Sequence, residues 1–75
     1  MREFAERYVA IGLRVAYYRK LVGLTQEELA ERIDRSAAYI GHIEAPGMTK
    51  GVSLDILFRI ADTLNVEAYK FLIID

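Results

Sequence analysis

The sequence predicts an all-helical fold, and three observations carry that prediction. Apolar residues recur at spacings of three and four along most of the chain, the period of a helix with one buried face. Threonine, serine, glycine and asparagine stand where those stripes begin and end, as helix caps require. No segment alternates apolar and polar residues over a useful length, so no strand is predicted. A chain of 75 residues has room for one core, and residues 1–75 are expected to form a single domain.

The first helix is predicted from Phe4, Tyr8, Ile11, Val15, Tyr18 and Val22, a continuous stripe with Gly23 at its carboxyl cap. The second opens at Thr25, whose hydroxyl can accept from the free N–H groups of the first turn. Glu28, three residues on, can reach back to the N–H of Thr25, which completes a capping box. Glu27 and Glu28 put negative charge at the positive end of the helix dipole. Leu29, Ala30 and Ile33 form its buried face, with Glu31 and Arg32 toward water. Only Asp34 and Arg35 separate this helix from Ser36, which caps a third helix with apolar positions Ala37, Ile40 and Ile43. Small Ala30 and Ala37 let the two backbones approach closely, and Pro46 ends the third helix. Ser53 opens a fourth, with Leu54, Leu57, Ile60, Ala61 and Leu64 inward and Asn65 as a left-handed carboxyl cap. A short fifth is predicted over 67–73, with Phe71 and Leu72 packed inward.

A capped helix, a two-residue turn and a second capped helix is the arrangement that helix-turn-helix proteins use to set one helix in the major groove of DNA. Residues 11–72 resemble the helix-turn-helix domain of the phage repressor and Cro family, also called the XRE family. The matching residues are Arg19, Gly23 through Ala30, Ser36, Tyr39 and Ile40, Ile43 and Glu44, Ser53 and Leu54, Leu57, Ile60 and Ala61, Leu64, Val66, and Phe71 and Leu72. The resemblance implies a compact five-helix domain of the lambda-repressor-like type. It also implies a sequence-specific transcriptional regulator that inserts its third helix (about residues 36–45) into DNA as a homodimer on a palindromic operator.

Composition narrows the alternatives. There is no cysteine, hence no disulfide and no thiolate metal site. No apolar run reaches the roughly 20 residues that span a bilayer, and Glu3 and Glu6 beside Arg2 and Arg7 are unlike a secretory signal. A cytoplasmic protein is expected, with no membrane partner and no small-molecule cofactor. His42 is the one histidine. A metal site needs several ligands and a catalytic histidine needs a nucleophile or carboxylate partner, and neither is identifiable, so an enzyme is not expected. The net charge of −1 runs against the basic balance usual in nucleic-acid modules. Distribution matters more than the sum, and Arg14, Lys20, Arg35 and Lys50 could form a basic rim around the third helix.

Carried over from the family, the residues that would touch double-stranded DNA are Gln26, Arg35, Ser36, Ala37, Ala38, Tyr39, His42, Thr49 and Lys50. Gln26, first in the second helix, falls at a phosphate-binding position, where a helix amino terminus favours anions. Ala37, Ala38 and His42 fall at base-reading positions. The alanines can offer only contact with a thymine methyl, where members of the family often carry glutamines. His42 reads either as a solvated residue or as a base or phosphate contact, and Tyr39 either as a phosphate-bonding side chain or as a partly packed aromatic. Thr49 and Lys50 sit in a loop over 45–52 about three residues longer than the shortest in the family, placed to track the backbone. Arg19 and Glu44 are expected to form a structural ion pair between the first and third helices. Ile73 and Ile74, with Phe4 and Tyr8 at the other end, are candidates for a dimer contact. A protein-interaction module, antitoxin-like or an adaptor, is the alternative to which the acidic balance and the two alanines point.

Overall fold

The computed structural model describes residues 3–45 and 52–73. In chain order it has α1 (Ala5–Leu21), α2 (Gln26–Arg32), α3 (Ala37–Glu44), α4 (Leu54–Leu64) and a terminal 3-10 turn (Ala68–Phe71). The all-helical prediction holds, with four α-helices where five were expected. The fifth becomes a single 3-10 turn because the segment is short and Glu67 provides no side-chain cap; such pieces favour the tighter i to i+3 pattern. Thr49 and Lys50, with Pro46, Gly47, Gly51 and Ile74, lie outside the described residues.

The starts of the three middle helices are fixed by side chains. Ser36 Oγ accepts from the N–H of Tyr39 at 3.1 Å, and Ser53 Oγ from that of Ile56 at 3.2 Å. At α2 the capping box closes both ways: the Glu28 N–H donates to Thr25 Oγ1 at 3.0 Å, and the Thr25 N–H donates to Glu28 Oε1 at 2.8 Å.

The ends of α1, α2 and α4 share one device. After α1, Gly23 turns to φ 80°, its N–H meets the carbonyl of Lys20, and Leu24 N–H reaches back to Arg19. After α2, Asp34 stands at φ 60° and Arg35 N–H reaches Ala30. After α4, Asn65 stands at φ 57° and Val66 N–H reaches Ala61. These are Schellman turns, which satisfy carbonyls that the helix end would orphan. Asp and Asn take the left-handed position in two of them because their short polar side chains tolerate it better than most.

Val15, Leu29, Ile33, Ile40, Leu57, Ile60, Leu64 and Phe71 are the largest fully buried side chains. Phe71 stands edge-on to Tyr18, with ring centroids 5.8 Å apart, so the carboxyl-terminal turn seals the core against α1. Four members of the expected stripes do not face in. Phe4, at the amino-terminal cap of α1, is 39% exposed. Leu72 is 50% exposed, Leu54 lies on the outer side of the first turn of α4, and Val22 is past the end of α1. Each sits at an element boundary, where helical period stops fixing direction.

Candidate nucleic-acid interface

The α2–α3 unit is held on the rest of the molecule by one polar cluster. Arg19 comes from the last turns of α1 and Glu44 from the end of α3. They are 6% and 8% exposed. Arg19 Nε donates to Glu44 Oε2 at 2.7 Å and its Nη2 to Oε1 at 2.9 Å, a bidentate pair. Its Nη1 donates to the Leu24 carbonyl at 2.8 Å, in the loop before α2. The Gln26 amide completes the set, donating from Nε2 to Glu44 Oε1 at 3.0 Å. Hydrogen bonding to Glu44 raises the Arg19 pKa above its usual range, against the opposing effect of burial. The guanidinium therefore stays charged at every relevant pH. The structural ion pair expected between Arg19 and Glu44 is present. Sequence reading did not foresee that Gln26 joins it.

Close backbone contact makes that pairing possible. A Cβ built on Gly12 of α1 would stand 2.1 Å from the Ile43 carbonyl oxygen. No side chain fits there, so α1 and α3 cross on a glycine. The sequence signal was a glycine inside a helical stripe, a residue that costs roughly 1 kcal/mol against alanine unless packing needs it.

On α3, Ile40 and Glu44 are buried and Ile43 half-buried, against α2 and α1. Ala38 and His42, four residues apart, share an exposed face with Ser36 at its head. Ala37 is half-buried and Tyr39 packs partly on the core. Arg35 is exposed and places Nη1 on its neighbour's carbonyl, Asp34 O, at 2.9 Å, which leaves its other donors outward. Along α2 the exposed charges are mostly acidic: Glu27, Glu28 and Glu31 line the shallow groove toward Arg35 and Ala37. The backbone N–H of Thr25, donating to the ionised Glu28 carboxyl, holds it below its usual pKa. The unit thus offers an exposed face on α3, one guanidinium at its head, and a negatively charged flank.

A family model described as Helix-turn-helix (HTH_3) matches residues 15–71. The chain belongs to the helix-turn-helix family of the Cro/C1 (XRE) type. That family is one of DNA-binding transcriptional regulators. Among solved structures, the fold is similar to the restriction-modification controller protein C.AhdI from Aeromonas hydrophila. The two are 28% identical with a TM-score of 0.82, over 91% of this chain and 96% of that one. A hypothetical transcription factor, NHTF from Neisseria, shares the fold at 24% identity and a TM-score of 0.80, over 89% of this chain and 75% of that one. No curated protein matches the chain. Among the described residues no helix is long and apolar enough to cross a membrane, and no cluster of acidic or histidine side chains is placed to hold a metal.

Proposed function

We propose that the chain is a sequence-specific transcriptional regulator that inserts α3 into the major groove, acting as a homodimer on a palindromic operator. The observation that carries this is the outward face of α3. It is headed by Ser36 and Arg35 and presents Ala38 and His42, while Arg19, Glu44 and Gln26 fix the helix from behind. The likeness to a restriction-modification controller protein over nearly the whole of both chains supports a regulatory role. Ala37 and Ala38 would touch thymine methyls, and His42 would hydrogen-bond a base edge. The remaining Gln26 amide hydrogen and N–H, with Arg35, Thr49 and Lys50, would hold phosphates. Tyr39, anchored on the core, would fix the depth of insertion. Exposed Leu72 and Ile73 support contact between two copies, which would set half-sites about one helical turn apart.

Selection from random duplex libraries at stated salt tests this. His42→Ala should shift preference at particular base pairs, by about 1–3 kcal/mol for a specific contact. Lys50→Ala should weaken all sequences alike, since phosphates carry no base information. An unchanged preference in His42→Ala would place base reading elsewhere. The acidic flank of α2 and the two alanines favour a second reading, a protein-interaction module. Absence of binding to any duplex at low salt would select it.

A further inference from the structure

α1 carries a second apolar line that the fold leaves uncovered. Ile11, Val15 and Arg19 face the core. Leu13, Tyr17 and Leu21, each two residues further on, stand about 200° round the helix and are 53%, 59% and 65% exposed. Single exposed apolar residues are ordinary, but three large ones on consecutive turns make a continuous patch. A surface helix is normally polar on that side. Glu6, Ala10, Leu13, Tyr17 and Lys20 follow one another at steps of four and three, the seam of a helix paired with another helix.

We infer that this face joins two copies of the chain, packed antiparallel through α1 about a two-fold axis at Leu13. The seam is its own complement. Glu6 lies seven residues before Leu13 and Lys20 seven after it, so the axis sets each Glu6 opposite Lys20 of the partner subunit. Both are exposed, and among the described residues neither has an ion-pair partner. The same operation sets the large ring of Tyr17 over the small Ala10 of the partner subunit, so bulk meets space rather than bulk. The Tyr17 ring already stands edge-on to Tyr18 at 4.9 Å, and Tyr18 edge-on to Phe71. Little side-chain freedom is then lost on association. This contact is additional to the one proposed for the operator dimer, uses other residues than Leu72 and Ile73 or the face of α3, and does not depend on the DNA-binding reading. It would join chains side by side, including chains already on neighbouring sites.

The absence of cysteine gives a clean test. Leu13→Cys brings two thiols together only if the axis lies there, and Glu31→Cys, exposed on α2, is the control. Under mild oxidation the Leu13→Cys chain should form disulfide-linked dimers well ahead of the control. In sedimentation equilibrium, Glu6→Lys or Lys20→Glu alone should weaken self-association roughly tenfold, because each change turns two facing pairs repulsive. The double exchange should recover most of the loss. Cross-linking no faster than in the control, or self-association that the exchanges leave unchanged, would overturn the inference. So would a double exchange as weak as the singles.

Discussion

Two glycines in neighbouring helices are expected to answer the same substitution with opposite signs. At Gly12 an added methyl would strike the Ile43 carbonyl, at 2.1 Å. The backbone on both sides belongs to packed helices, so Gly12→Ala should destabilise by about 1–3 kcal/mol, the usual cost of overpacking. At Gly41 the same methyl meets only Gln26 Oε1, at 3.6 Å, an ordinary contact. Gly41→Ala should therefore stabilise by roughly 0.5–1 kcal/mol through reduced backbone freedom in the unfolded chain. Denaturant midpoints of the two variants decide the matter, and equal shifts would show that α1 and α3 can move apart freely. In the sequence both glycines interrupt helical runs alike. What separates them is a contact between residues 12 and 43, which local pattern does not encode.

At the level of elements, the polar cluster should act as a unit. Removing one partner of a buried pair leaves the other charge unmatched, so Arg19→Ala or Glu44→Ala should each cost about 3–5 kcal/mol. Their double variant should cost much less than the sum, and a double-mutant cycle reads the coupling. A coupling near zero, as for an exposed pair, would contradict the geometry. The box at the start of α2 carries a pH signature. The Glu28 carboxyl titrates lower in the folded chain than its ordinary 4.5, because Thr25 donates to its ionised form. That stability is complete above about pH 4.5 and is lost as pH falls through the lower folded value. The stability gap between the native chain and Glu28→Gln should be present at neutral pH and narrow in acid. A gap constant with pH would remove Glu28 from that role. Both features were readable: Thr25 and Glu28 are three apart in one segment, and Arg19 and Glu44 carry the family resemblance. The terminal 3-10 turn was not, because a few residues cannot display a helical period.

For the molecule as a whole, charge sets the expected strength of DNA binding. With net charge −1 and an acidic α2, few phosphates can be neutralised. For roughly four to six per subunit, each subunit should contribute about −4 to −5 to the slope of log K against log salt, and a dimer about twice that. Titrations of a duplex at several salt concentrations give that slope directly. A much steeper value would require basic residues beyond those assigned to the interface. The helix order and the buried face of each α-helix followed from composition and spacing. The uncovered line on α1 did not, because Leu13, Tyr17 and Leu21 look no different from core residues until the core is seen to close without them.

Phe71 changes what the carboxyl end of this chain is. The ring is fully buried and stands against Tyr18 near the carboxyl end of the first helix, so the last described turn is a keystone rather than a tail. Cutting the chain before it would remove a side chain of the kind whose loss opens a cavity costing about 3–5 kcal/mol. That approaches the entire net stability of roughly 5–15 kcal/mol that holds an ordinary domain folded. Tags and fusions belong beyond Phe71, and fragments that end earlier should be studied as a different, loosened protein.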